Sequence, residues 1–268
     1  MDLEVLFLGL LQGVTEFLPI SSSGHLSFAK IMMGVNDPSL SFDLVLHMAT
    51  LFAVIVYFAK DILTLLIEWL YGFFNANARN WTGWRFGWAV ILGSFVTAPL
   101  GLALKWAAEA ASVNLLWLGG NFWLTGLLLL STKFVRTGWE TVRIRDGLVV
   151  GFVQGLAVLP GISRSGSTIW AGMLSGLSRD EAFRFSFLLS IPAIAGATVL
   201  ESRNLGGYES FLAELPGGWM PSAVVAFVSG LVSLVVLRKL VTSDKWWLFA
   251  IYCILLGSAS VVLSIVGV

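Results

Sequence analysis

Charge is what this chain of 268 residues has least of: only 12 % of its side chains are Asp, Glu, Lys or Arg, while 57 % are hydrophobic. With a mean hydropathy of +0.87, such a sequence lacks the polar surface a water-soluble domain of this size needs, and it belongs in a bilayer. No nucleic-acid partner is expected. Cysteine is almost absent too. The lone Cys253 sits in an apolar run, which excludes an internal disulfide and a cysteine-based metal site, and it reads as a small buried or lipid-facing residue. The opening stretch has neither a basic n-region nor a small-residue cleavage site, so residues 3–18 are expected to belong to the mature protein rather than to a signal peptide.

What the chain does have is a segment that it carries twice. Gln12-Gly13 followed by Ile20-Ser21-Ser22-Ser23-Gly24 recurs 142 residues later as Gln154-Gly155 followed by Ile162-Ser163-Arg164-Ser165-Gly166, and Ala29 and Gly34 fall on Ala171 and Gly176. Pro19 with the serines and Gly24 splits residues 3–33 into a leg of about four turns and one of about three, the second too short to span. Each copy is therefore expected to dip into the membrane and return, which irregular backbone tolerates only beside protein or water. Paired interruptions of this kind point to a binding site.

Six further segments are long and apolar enough to cross: 42–59, 86–104, 115–131, 183–200, 222–237 and 246–266. Residues 62–74, interrupted by Glu68, are expected to lie at the interface or partway in. Of the twelve Trp residues, Trp81, Trp84, Trp88, Trp106, Trp219, Trp246 and Trp247 lie near span ends, as interfacial belts do.

The fold expected is an all-α integral membrane protein with six spans plus two re-entrant hairpins, in an inverted-topology repeat of about residues 1–134 and 143–268. One hairpin plus three crossings ends each half on the face opposite its start, so the second half is inverted and the serine loops meet mid-membrane. Twelve of the sixteen Lys and Arg residues then fall on one face, and only Lys30, Lys105 and Arg203 on the other. By the positive-inside rule both termini are expected to face outward, away from the cytoplasm.

Arg164 alone among the basic residues lies deep within an interrupted membrane segment, where an unpaired guanidinium costs several kcal/mol. Two readings stand: a pairing with Glu16 across the repeat interface, or a ligand anion, the latter favoured because intramembrane ionisable residues are functional by default. Arginine's planar fork suits phosphate or carboxylate. Around it, Ser21, Ser22, Ser23 and Gly24, with Ser163, Ser165, Gly166, Ser167 and Thr168, offer hydroxyls and helix-start N–H groups to an anion, although one or two serines are accounted for by capping. Gln12 and Glu16 share one face of the first leg, with His25 beyond the loop. The second copy has Val158 and Ser167 at those two positions, so one half supplies proton chemistry and the other the arginine clamp. Alone, His25 reads as a hydrogen-bonded structural histidine; its company favours proton handling. Asp43 and His47 either extend this network or pair with each other, two readings of equal weight.

These residues resemble a known family. Gln12-Gly-Val-Thr-Glu16-Phe-Leu-Pro-Ile-Ser-Ser-Ser-Gly-His25 is similar to the first signature of the undecaprenyl-diphosphatases, also called bacitracin resistance proteins, and Pro160-Gly161-Ile162-Ser163-Arg164-Ser165-Gly166-Ser167-Thr168 to the second. The resemblance runs over essentially the whole chain, including Phe42-Asp43-Leu-Val-Leu-His47 and Phe185-Ser186-Phe187-Leu188-Leu189. It implies an integral phosphatase of the bacterial cytoplasmic (inner) membrane, its termini periplasmic or extracellular, that removes the terminal phosphate of undecaprenyl diphosphate, renewing the carrier for peptidoglycan and other wall polymers. It also implies a divalent cation, Mg2+ or Ca2+, and inhibition by bacitracin. Gln12 stands where many members carry glutamate, which leaves one carboxylate fewer for metal. Arg184 replaces an acidic or small residue, and Pro99 is displaced within its span.

Glu16, Ser22, His25 and Arg164 are the expected catalytic residues. Gln12, Ser21, Ser23, Gly24, Ser163, Ser165 and Thr168 are expected to bind the substrate, and Glu16 with Gln12 the metal. The attacking group is either Ser22 or an activated water. The expected partners are the lipid diphosphate and the bilayer, with homo-oligomers possible; the alternative function is a polyprenyl-phosphate or small-anion transporter or flippase built on the same site.

Overall fold

The computed structural model describes residues 3–33, 40–203, 208–243 and 245–267. Gly34, one of the residues matched between the two copies, lies outside them. Helix α1 (Leu3–Phe17) and α2 (Ser22–Met33) flank the Pro19 turn, and α3 (Leu40–Tyr57) leads into α4 (Ala59–Phe74). After a short 3-10 turn come α5 (Thr82–Ala103), α6 (Lys105–Ser112) and α7 (Leu115–Ser131). The second half follows with α8 (Ile144–Leu156), α9 (Arg164–Leu174), α10 (Arg179–Ser202), the short α11 (Tyr208–Ala213), α12 (Trp219–Thr242) and α13 (Leu248–Val266).

Among the described residues five helices are long and apolar enough to span a membrane by themselves, namely α5, α7 with its terminal turn, α10, α12 and α13. A sixth candidate is the pair α3 and α4, bent by 72° between Tyr57 and Ala59. The protein is thus an all-α, multi-pass membrane protein; five of the six expected spans fall on one helix each, and the expected 42–59 runs past the end of α3 at Tyr57 to the start of α4. The expected short element at 62–74 is α4, a helix of 16 residues that begins at Ala59. Helix starts carry recognisable caps. Asn114 Oδ1 accepts from the N–H groups of Leu116 and Trp117, Asp146 from that of Arg143, and Ser178 Oγ from that of Glu181.

Helix packing is reciprocal between the halves. The first leg, α1, packs on α12, and its counterpart α8 packs on α5; α3 meets α12 as α10 meets α5, and α7 pairs with α13. Matched glycines permit both crossings. A Cβ on Gly13 would lie 2.9 Å from Ala226 Cα, and one on Gly151, the counterpart of Gly9, 2.5 Å from Gly93 Cα. These are contacts with backbone, which a side chain cannot evade by changing rotamer, so only glycine lets the helices approach this closely.

The linker between the halves is tied to the end of α9. Gly138 and Trp139 donate their N–H groups to Gly176 O at 3.0 and 2.8 Å, Ser178 N donates to Trp139 O at 2.8 Å, and Arg143 Nη2 donates to Ser175 O at 2.5 Å. Gly176, at φ +96°, lies under the Trp139 ring, where a Cβ would come within 2.5 Å of Cδ1.

Gly151→Val is expected to destabilise the protein by about 1–3 kcal/mol through overpacking against Gly93, read as a lower melting temperature in detergent. Gly120→Ala, on a helix face where a Cβ meets nothing within 4 Å, is expected to be neutral or stabilising by up to about 1 kcal/mol.

Candidate active site

One face of α1 carries Gln12 and Glu16, four residues apart, and Gln12 Nε2 donates to Glu16 Oε2 at 3.0 Å. The chain then turns sharply, with Ile20 N bonded to Leu18 O at 2.7 Å. Ser21 sits at φ +69°, the one non-glycine residue with positive φ among the described residues. For an L-residue this left-handed conformation is uncommon and costs on the order of 1–3 kcal/mol. The turn brings the start of α2 back over α1. Ser22 Oγ consequently donates to Glu16 Oε2 at 2.5 Å.

The second hairpin reaches the same carboxylate. Ser163 caps α9 by accepting from Gly166 N at 3.1 Å, and the next residue, Arg164, donates from Nη2 to Glu16 Oε1. Of the two expected partners of Arg164, the intramolecular one is therefore present. Glu16 is 2 % exposed at its side chain and Arg164 25 %, so the guanidinium is the more open of the two groups.

The two loops are stitched together by the residues expected to bind substrate. Gly161 N donates to Ser21 Oγ at 3.0 Å, and Ser165 Oγ donates to Leu18 O at 3.2 Å. Ser21 Oγ also accepts from Gly24 N and contacts Ser23 Oγ, just as Ser163 Oγ lies 3.2 Å from Ser165 Oγ. Close approach is again reciprocal. A Cβ on Gly24 would fall 2.7 Å from Gly161 N, and one on Gly166 3.1 Å from Pro19 Cβ, two pairs related by the same shift of 142 residues. Most of these hydroxyls therefore shape the loops. Beyond them, Thr168 Oγ1 meets Ser186 Oγ at 2.5 Å, and both line a small polar cavity with Glu16, Arg164, Ser165 and Ser190.

The two histidines divide. His25 Nδ1 lies 2.7 Å from Ser21 O and Nε2 2.7 Å from Tyr252 Oη, so both its ring nitrogens are engaged away from Glu16. His47 Nε2, by contrast, approaches Glu16 Oε2 at 4.0 Å, while its Nδ1 meets Asp43 O. Asp43 itself pairs with Lys30 at 2.6 Å. Of the two equal readings of Asp43 and His47 neither holds for both side chains: the Asp43 carboxylate goes to Lys30, while His47 contacts the Asp43 carbonyl and faces Glu16. Ser186 and Ser190 went unremarked as cavity residues; the signal available was the match of Phe185-Ser186 to Phe42-Asp43, which sets Ser190 opposite His47.

Chemically, the arrangement sets a hydroxyl against a carboxylate that can take its proton, beside a guanidinium that can bind an anion. Such a constellation, enclosed by helices apolar enough to span a membrane, defines a polytopic membrane protein with a polar cluster in its interior. The chain matches the model of the bacitracin resistance protein BacA family over residues 5–259 and belongs to that family. Relatives named undecaprenyl-diphosphatase include those of Desulforapulum autotrophicum, 39 % identical with 97 % of each chain covered, and Desulfosudis oleivorans, 41 % identical with 94 % of this chain and 95 % of the relative covered. A third, from Methanosphaera stadtmanae, is 35 % identical with 98 % of each chain covered.

Removing one partner of a buried ion pair leaves the other uncompensated and typically costs about 3–5 kcal/mol. Glu16→Ala is expected to lower stability towards that range, and adding Arg164→Ala to it is expected to cost less than the sum of the two single changes. Thermal unfolding of all four proteins in detergent measures that coupling.

Proposed function

We propose that this protein is an undecaprenyl-diphosphate phosphatase that hydrolyses the terminal phosphoanhydride, yielding the lipid monophosphate and inorganic phosphate for renewed use in cell-wall polymer synthesis. The observation that carries this reading is the convergence of Ser22, Glu16 and Arg164 in one buried cluster, in a chain whose relatives bear the diphosphatase name. Arg164 exchanges its bond to Glu16 for the substrate phosphates. Thr168 and the start of α9 support the same anion, while Ser21, Ser23, Gly24, Ser163 and Ser165 keep the loops in shape. Glu16, within hydrogen-bond reach of the Ser22 hydroxyl, takes the proton of Ser22 or of a water beside it. Oxygen attack on the terminal phosphorus breaks the bond to the bridging oxygen and the lipid monophosphate leaves; an attacking water yields inorganic phosphate directly, whereas an attacking Ser22 yields a phosphoserine whose P–O bond a water then hydrolyses to release phosphate and the free serine.

Mg2+ or Ca2+ fits this donor set. Gln12 Oε1 is buried without a hydrogen-bond partner, next to the Glu16 carboxylate, and one carboxylate with a neutral oxygen suffices where substrate phosphates complete the shell. Among the described residues no group of three or more His, Cys, Asp or Glu side chains offers a fuller protein cage. When bound, the cation supplies charge neutralisation on the diphosphate.

The same proposal includes an inverted repeat of residues 1–134 and 143–268 with two re-entrant hairpins, supported by the reciprocal packing of α1 on α12 and α8 on α5. Twelve basic residues against three support termini on the outer side of the bacterial cytoplasmic membrane. The carrier alternative is not favoured, since the relatives are named as diphosphatases.

The test is phosphate release from undecaprenyl diphosphate by the purified protein in detergent, with and without chelator. Arg164→Ala and Glu16→Ala are each expected to reduce turnover by about 10²-fold or more, and chelation to suppress the native activity. Undiminished turnover in Arg164→Ala would overturn the reading. Labelled phosphate trapped on the protein in a single turnover identifies Ser22 as nucleophile, and its absence identifies water.

A further inference from the structure

The proposed chemistry uses Glu16, Ser22 and Arg164, yet the sharpest backbone feature of the site is one residue away, at Ser21. Its left-handed φ of +69° aims the start of α2 back at Glu16, and a serine does not hold that conformation unaided. His25 supplies part of the restraint. Its Nδ1 lies 2.7 Å from Ser21 O, and because a carbonyl only accepts, Nδ1 carries the proton. In the neutral ring Nε2 is then an acceptor, and the Tyr252 hydroxyl 2.7 Å away donates to it.

Tyr252 belongs to α13, at the other end of the chain, and its ring stacks on His25 with centroids 5.6 Å apart and planes within 7°. The buried Phe122 closes the opposite side edge-on at 5.4 Å. A second contact links the same stretch of α13 to the same loop. Cys253 Sγ donates to Pro19 O at 3.7 Å, so two successive residues bracket the turn from Pro19 to His25.

We propose that Tyr252 is a positioning residue: through His25 it holds the Ser21 turn in the shape that presents the Ser22 hydroxyl to Glu16. His25 on this account serves geometry, not proton transfer. The kinetic part of the proposal rests on the phosphatase reading above; the structural part does not.

The chain has only two histidines, so 15N-histidine NMR of the full-length protein in detergent, assigned with His47→Gln, reads the His25 ring directly. The native protein is expected to show a single Nδ1–H tautomer, and Tyr252→Phe, which keeps the ring and loses the donor, a mixture of tautomers. In the same variant kcat for undecaprenyl diphosphate is expected to fall about tenfold with KM within about twofold and the melting temperature unchanged. Leu255→Ala, on the same helix and 65 % exposed, should leave spectrum and kcat unchanged. His25→Asn, which can donate to Ser21 O but cannot relay a proton, should keep about tenfold more kcat than His25→Ala. This second comparison stands even if Tyr252→Phe fails to fold. An unchanged tautomer or unchanged kcat in Tyr252→Phe, or equal losses in the two His25 variants, overturns the proposal. Should the native protein release no phosphate, the phosphatase reading fails, and the histidine spectrum alone decides whether Tyr252 holds the turn.

Discussion

The pairing of Glu16 with Arg164 is the contact on which the rest of this structure depends. Moving either ion out of water costs several kcal/mol, and mutual attraction offsets that cost only when the remaining hydrogen-bonding positions are filled as well. They are filled here: Glu16 receives Arg164 on one oxygen and Gln12 and Ser22 on the other. The two ions come from different hairpins, so satisfying their charge requires the hairpin loops to meet. A sequence this poor in charge spends two of its few ionisable groups on that meeting point, where the polar surroundings make them tolerable.

Everything near the pair works to keep the loops in register. Serine hydroxyls cross between them in both directions, and Gly24 and Gly161 let the backbones touch. Further out, glycines at matched positions bring α1 onto α12 and α8 onto α5. Packing of this closeness is how helices associate in lipid, where apolar burial supplies no force between them and small residues allow van der Waals contact. The site is therefore mounted on helices in near backbone contact, a support suited to fixed geometry.

How much of this could be read from the residues depended on whether the cause was local. Spans were legible because apolar runs of the required length have few alternative explanations. Glu16 and Arg164 were legible as partners because the repeat related their loops and because a lone intramembrane arginine needs compensation. A change of direction after the apolar run ending at residue 59 was legible, but not its place at Phe58: no proline or glycine marks that residue, and the turn occurs where Asp61 pairs with Arg184, far away in sequence. Nor was the positive φ of Ser21, since glycine is the residue that advertises it. His25 looked like a partner of Glu16 from its place in the motif, yet its ring turns the other way because Tyr252 waits there. Tyr252 carried no signal at all, being one partly exposed aromatic in a predominantly apolar helix.

The packing of α1 against α12 has a consequence for how the molecule is made. The first leg leaves the ribosome long before the helix that covers its glycine face. Throughout synthesis of the intervening chain, the carboxylate of Glu16 sits in or beside the bilayer without Arg164, and Gly9 and Gly13 have nothing to pack on. Assembly of this protein is thus governed by very distant contacts, the regime in which folding is slow and the waiting intermediate is exposed to misassociation.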